Sequence, residues 1–256
     1  MKVVLFCGGL GMRLREYSDQ VPKPMVPLGD RPILWHVMKY YAHYGHKEFI
    51  LALGYRGQAI KEFFLNYQEE VLNDFRIRGG ERELYASDIH DWDITFADTG
   101  LHSRQGERLR RVRKYLGDDD IFLANYADGL ADLDLPKFIE NFEKSDAVAS
   151  LMAVRSWHSY HRLDLDGDRL VDMEPICDSD VWFNGGFFAF RKEFLDLIQP
   201  GDDVIEPLQL AAKEGKVLVQ KHEGFFAAMD TFKDKVELDA RYERGDTPWV
   251  VWKNGG

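Results

Sequence analysis

Cysteine is scarce in this 256-residue chain, with only Cys7 and Cys177. Two cysteines do not make a disulfide framework, and a reducing cytoplasm is the expected location. No apolar run approaches the roughly 20 residues of a membrane helix. The first, at residues 3–6, is also too short for the core of a signal peptide. Positive charge is in deficit, with 33 Lys and Arg against 44 Asp and Glu and a net charge of −11. A nucleic-acid backbone demands a concentrated basic face. The one basic cluster, Arg108, Arg110, Arg111, Arg113 and Lys114, has the spacing of a solvated helix with room for one residue turned toward a ligand. Neither nucleic acid nor a membrane is an expected partner. Repeats, low-complexity tracts and linkers are lacking, so a single domain over 1–256 is the simplest organisation, ample for a sizeable core. G-x-x-x-x-G-K-S/T is absent, and G-x-G-x-x-G fails because Leu14 stands where its last glycine would fall. No Ser-His-Asp or Cys-His arrangement suggests a protein nucleophile.

What the chain has is concentrated near its start. An apolar, partly β-branched run at residues 3–6 reads as a buried strand. It leads into Gly8-Gly9-Leu10-Gly11-Met12-Arg13-Leu14 and then Pro22-Lys23-Pro24-Met25. A strand that ends in a glycine turn exposes backbone N–H groups, and such a concavity suits phosphate. Arg13 and Lys23 add two full positive charges. The prolines on either side of Lys23 restrict its backbone. Together these residues describe a polyphosphate cradle; three glycines without the two cations would be an ordinary tight turn.

Further on, strand and helix signals alternate. Strands are expected at 3–6, 49–53, 121–124, 147–154 and 187–190, and helices at 33–44, 59–66, 108–116, 136–142, 204–213 and 231–244. This alternation predicts a mostly parallel α/β sheet, Rossmann-like, with helices on both faces in three layers. The rhythm breaks at 74–98, where 83–85 and 94–97 read as two strands paired around 88–92. It breaks again at 155–190, where Leu163 to Val171 carries a hairpin signal with a glycine turn. That small inserted β-region is assigned to the acceptor half of the site.

The glycine turn with its Pro-Lys-Pro resembles the signature of the sugar-phosphate nucleotidyltransferases. Segments beginning at Arg31-Pro32-Ile33, Phe96-Ala97-Asp98-Thr99-Gly100, Gly106-Glu107-Arg108-Leu109, Tyr126-Ala127-Asp128-Gly129, Asn184-Gly185-Gly186 and Met229-Asp230-Thr231 extend the resemblance along the chain. They are most similar to the glucose-1-phosphate cytidylyltransferase branch. The resemblance implies a fold like that of GT-A glycosyltransferases and a homo-oligomer. It also implies a Mg²⁺-dependent reaction in which a sugar 1-phosphate attacks the α-phosphorus of a nucleoside triphosphate, CTP by preference, releasing pyrophosphate. A phosphomonoester with a second pKa of about 6 is already ionised at neutral pH, so no protein nucleophile is needed.

By the same resemblance Arg13 and Lys23 are catalytic, and Asp128 and Asp230 hold the metal as hard carboxylate ligands. Gly8, Gly9, Gly11, Met12, Arg13, Thr99, Arg108 and Asp128 would contact the nucleotide. Lys23, Gly129, His161, Arg162, Glu174, Asn184 and Gly185 would contact the acceptor. Two assignments have competing readings. Asp230 precedes a helix and could cap it, and Arg108 could be one more surface arginine. Asn184 could serve as a turn residue and as a ligand at once.

Three positions depart from the family. Met173-Glu174-Pro175 replaces the usual Glu-Lys-Pro, Ser159-Tyr160-His161 replaces Arg-Phe-Gly, and Met12 stands where Thr is common. An acid where an acceptor-phosphate lysine is expected leaves two readings. Either the acceptor is not glucose 1-phosphate and Arg155, His161 or Arg162 supplies the charge, or Glu174 points outward and the usual acceptor is kept. A glycosyltransferase is the competing enzyme class, since Asp132-Leu133-Asp134 has the form of its metal motif.

Overall fold

A computed structural model describes residues 1–9, 21–85, 87–156 and 160–253. The first strand, β1 (Val3–Cys7), is buried along its whole length. Two two-residue strands follow, β2 (Pro27–Leu28) and β3 (Arg31–Pro32), and then helix α1 (Ile33–His43). Next come β4 (Glu48–Leu53), α2 (Gly57–Leu65), α3 (Glu69–Leu72), β5 (Phe75–Arg78), β6 (Glu81–Leu84) and β7 (Asp93–Asp98). The middle of the chain forms α4 (Gln105–Val112), β8 (Ile121–Tyr126), β9 (Gly129–Ala131), α5 (Leu135–Glu143) and β10 (Ala149–Arg155). The hairpin β11 (His161–Asp166) and β12 (Arg169–Pro175) precedes the long β13 (Trp182–Arg191). The last elements are α6 (Ile205–Lys213), β14 (Val217–His222), β15 (Phe226–Ala228) and α7 (Phe232–Glu243).

Seven strands make the central sheet in the order β14-β10-β13-β8-β1-β4-β7. Only β13 runs antiparallel to its neighbours; the remaining pairs are parallel. The period of two along β1 divides the core. Val3, Leu5 and Cys7 join one apolar cluster with α1, α5 and Leu238 of α7. Val4 and Phe6 join another with Leu109 and Val112 of α4 and with Leu208 and Ala211 of α6. This is the expected three-layer, mostly parallel architecture.

The details differ in several places, and the edge strand β14 was not expected at all. The strand expected at 83–85 pairs with Phe75–Arg78 rather than with 94–97. The latter segment instead extends the main sheet as its parallel edge, alongside β4. The helix read from Arg108 begins at Gln105. Strands β9 and β15 went unread, because three residues such as Gly129-Leu130-Ala131 carry no measurable period. They pair with each other antiparallel, placing Ala228 opposite Gly129, and this small sheet assembles the site.

Candidate active site

In an open α/β sheet, ligands bind beyond the carboxyl ends of the parallel strands. Here β1, β4 and β7 end level with one another, with Cys7 opposite Leu53 and Leu53 opposite Asp98. One residue further on, the three chains present Gly8, Gly54 and Thr99. Arg108, carried by α4, lays its guanidinium across all three. Its Nη1 donates to Leu53 O at 2.9 Å and to Thr99 Oγ1 at 2.5 Å, and its Nη2 donates to Gly8 O at 2.8 Å. The side chain is buried, with 3% exposed, and burial lowers its pKa from the ordinary value. Among the described residues no carboxylate lies within ion-pair distance of it. The surface reading of Arg108 is thereby corrected. Its neighbours Arg110 and Arg111 are the ones on the surface, both paired to Glu107, and Arg113 pairs with Asp196.

Gly8 is required by this packing. A Cβ there would stand 2.1 Å from Arg108 Cζ, and one on Gly54 would stand 2.7 Å from Nη2. The Gly8 carbonyl is engaged by Arg108, while Gly8 and Gly9 still line the cavity. Gly11, Met12 and Arg13 lie outside the described residues, as does Ser159.

The second focus is Lys23. It opens a single 3₁₀ turn, Lys23–Met25, between Pro22 and Pro24, closed by Met25 N donating to Pro22 O at 2.8 Å. The ammonium bridges Asp128 and Asp230, with a 2.6 Å contact to Asp230 Oδ1. Burial alone would lower the Lys23 pKa; the two carboxylates outweigh it and hold the pKa above the ordinary value. Asp128 follows the central strand β8. Asp230 arrives from the far end of the chain because β15 pairs with β9 and Met229 N donates to Asp128 O at 3.1 Å.

The capping alternative for Asp230 does not hold. Thr231 is the N-cap of α7, in a reciprocal capping box with Asp234, and this leaves the Asp230 carboxylate free to face Lys23. Two carboxylates converging on one cation at a cavity wall fit the donor set of Mg²⁺, which takes one or two carboxylates together with substrate phosphate oxygens and water.

The cavity joining the two foci has a volume of about 630 Å³, within the range of small-molecule sites. Lys23, Arg108, Asp128, Gly129, Asn184, Gly185 and Asp230 all line it, as do Ser103, Gln105, Tyr126, Phe183 and Phe226. These last five were not anticipated. Ser103 and Gln105 were accessible in principle, since they sit one turn before Arg108. Phe226 depended on the β9–β15 pairing. Asn184 lies within β13 rather than in a turn; its side-chain oxygen accepts from Gly186 N at 2.8 Å, while it faces the cavity.

Four expected contacts are not brought to the cavity. Thr99 is fully buried beneath Arg108. His161, Arg162 and Glu174 belong to the exposed β11–β12 hairpin, where Arg162 pairs with Glu174 at 3.0 Å and with Asp164 at 2.7 Å. The guanidinium is therefore engaged by its own hairpin. Asp132 and Asp134 serve structure: Asp132 contacts His222 Nε2 at 3.0 Å, and Asp134 caps α5 by accepting from Lys137 N. Neither lines the cavity, which removes the basis for a glycosyltransferase metal motif there.

A strand-end cavity with a lysine held between two carboxylates and a buried arginine opposite is the geometry of a phosphate-transferring nucleotide enzyme. Comparison with known proteins agrees. The nucleotidyl transferase family profile matches residues 2–160, and the chain belongs to that family. Among full-length relatives, a glucose-1-phosphate cytidylyltransferase of Salmonella typhi is 38% identical over 257 residues, covering 99% of this chain and 100% of that protein. A probable glucose-1-phosphate cytidylyltransferase of Bacillus subtilis is 34% identical, covering 98% and 100%. Among solved structures, UDP-glucose pyrophosphorylase complexed with UDP-glucose superimposes with a TM-score of 0.71 at 13% identity, covering 95% of this chain and 98% of that one. The protein is a nucleotidyltransferase. Among the described residues no helix is long and apolar enough to cross a membrane.

Proposed function

We propose that this enzyme joins CTP to glucose 1-phosphate, giving CDP-glucose and pyrophosphate. An oxygen of the sugar phosphate attacks the α-phosphorus of CTP. The bond from that phosphorus to the bridging oxygen breaks, and its electron pair leaves with pyrophosphate. The nucleophile is already anionic, so the demand on the protein is to hold two anions in line and to offset the charge that builds between them. The observation that carries the reading is the Lys23 ammonium, constrained by two prolines and poised between Asp128 and Asp230 on the cavity wall.

Asp128 and Asp230 would hold Mg²⁺, which supplies charge neutralisation to the triphosphate when bound. Lys23 supplies the positive charge between these carboxylates in the ligand-free chain. In the substrate complex its ammonium would face the α-phosphate and the acceptor phosphate. Arg13 would hold the departing β- and γ-phosphates. Arg108 faces the base end. Cytosine offers acceptors at O2 and N3 to a guanidinium, whereas uracil presents an opposing N3–H. The relatives' shared description and the outward placement of Glu174 support glucose 1-phosphate as acceptor over a replacement sugar.

The test is a matrix of four nucleoside triphosphates against a panel of phosphorylated sugars, read as pyrophosphate released. CTP with glucose 1-phosphate is expected to give the highest kcat/KM. A different acceptor leading by a wide margin overturns the acceptor assignment. A different nucleotide leading overturns the base assignment, and no pyrophosphate from any pair overturns the activity.

A further inference from the structure

Thr99 was expected to touch nucleotide, yet its side chain is fully buried and is not part of the cavity wall. Its hydroxyl chemistry shows what it does. A guanidinium can only donate, so Thr99 Oγ1 must accept from Arg108 Nη1 at 2.5 Å. The hydroxyl has a single proton, and it goes to Leu53 O at 2.7 Å. That donation fixes the hydroxyl rotor so that a lone pair faces the guanidinium. Leu53 O also accepts from Arg108 Nη1, at 2.9 Å. The end of β7 thus grips the arginine directly and through the end of β4.

The grip matters because no carboxylate among the described residues holds this cation in place. Its orientation rests on three neutral acceptors, Leu53 O, Thr99 Oγ1 and Gly8 O. On the remaining sides, Gly8 and Gly54 keep the slot open: a Cβ on either would intrude to 2.1 Å or 2.7 Å from the guanidinium. Of the three acceptors only Thr99 contributes a side chain, so only it can be removed by substitution without moving backbone.

We propose that Thr99 is a positioning residue for base selection, orienting the Arg108 guanidinium toward the nucleobase without touching the nucleotide. The proposal rests on the reading that Arg108 faces the base. Thr99→Val keeps the shape and deletes the acceptor. Losing one hydrogen bond to a charged group should reduce the preference for CTP over UTP by about tenfold. That loss should fall mainly on KM for CTP and on its Kd by titration calorimetry, with kcat changed by less than about threefold. Thr99→Ser retains the hydroxyl and should restore the preference.

Four further results keep the two readings separate. If Arg108→Gln leaves the CTP/UTP ratio at its wild-type value, the base reading itself falls. If Arg108→Gln abolishes the preference while folded Thr99→Val retains it, positioning by Thr99 is overturned and the base reading stands. Should Thr99→Val fail to fold, Gly54→Ala sets a Cβ 2.7 Å from Arg108 Nη2 and 2.8 Å from Gly8 O, and so displaces the same guanidinium together with one of its acceptors. The ratio must then fall too, and an unchanged ratio in that variant overturns the proposal. Loss of preference in Thr99→Ser would also overturn it, because the methyl group rather than the hydroxyl would then be responsible.

Discussion

At the ends of β1, β4 and β7 a charged group is buried and held by neutral acceptors; on the β11–β12 hairpin charged groups are exposed and held by one another. Arg108 is 3% exposed, while Arg162 and Glu174 are 42% and 35% exposed and form their own ion pair. A buried cation with no carboxylate at ion-pair distance among the described residues is expensive to keep unless something uses it. An exposed pair is worth little and can be changed freely. The contrast explains two of the chain's three departures from its family; the third, Met12, lies outside the described residues. Tyr160, His161 and Glu174 all lie in or beside the hairpin, outside the cavity, where a swap of charge costs almost nothing. The residues that meet at the strand ends retain the family pattern because each is fitted to its neighbours.

The largest effect belongs to the Lys23 focus. Lys23→Met should lower kcat/KM by roughly 10²–10³, the usual loss for a donor aimed at developing charge, and Asp230→Asn, which removes a carboxylate that holds Lys23 and would ligate the metal, by a similar factor, with the circular dichroism spectrum unchanged. Near-wild-type turnover in either variant would sink the assignment of this focus as the reacting end.

The next effect tests the slot. Gly8→Ala puts a Cβ into the guanidinium and should raise KM for CTP by about tenfold, the cost of misplacing a charge-assisted contact. An unaltered KM would mean the arginine has room that the packing denies.

Glu107 pairs within α4 with Arg110 and Arg111 and ties the helix to the chain at Gly201 by accepting from Gly201 N. Hydrogen bonds from Arg110, opposed by burial and reinforced by Arg111, bring its pKa down to about 2 from 4.5. A depressed carboxylate pKa stabilises the fold above the unfolded value and loses that contribution as pH falls through the folded one. Glu107→Gln should therefore lower Tm by a few degrees at neutral pH. The gap from wild type should narrow between pH 4.5 and about 2. A gap that is constant with pH would assign the effect to packing alone.

The smallest effect is on the hairpin. Glu174→Lys restores the family's charge, yet it should change kcat/KM for glucose 1-phosphate by less than about twofold and stability by under roughly 0.5 kcal/mol. A tenfold gain in kcat/KM would break the comparison, since the hairpin would then have to act on the acceptor.

Much of the architecture was legible because its signals are local. Most strands of the central sheet and the hairpin announced themselves through apolar runs and a glycine turn, and the Pro-Lys-Pro clamp through fixed backbone angles; β14, half apolar and half polar at the sheet edge, did not. The strand partner of 83–85 was misread because pairing is a long-range choice between segments of equal local merit. The acceptor half was overpopulated because motif positions were carried to a hairpin whose direction only packing sets.

The sequence by itself determined the class of chemistry. A glycine turn with Lys23, two aspartates in family segments and alternating strands and helices together specify nucleotidyl transfer on a parallel sheet. Tertiary structure alone decided which groups meet. Asp230 reaches Asp128 only because two three-residue strands, too short to carry a period, pair although one lies mid-chain and the other near its end. Arg108 turns inward rather than outward because its helix face, shared with Leu109 and Val112, packs on the sheet. Its charge is then held by carbonyl and hydroxyl groups at three strand ends, a partnership set by the register of β1, β4 and β7 and by no spacing along the chain.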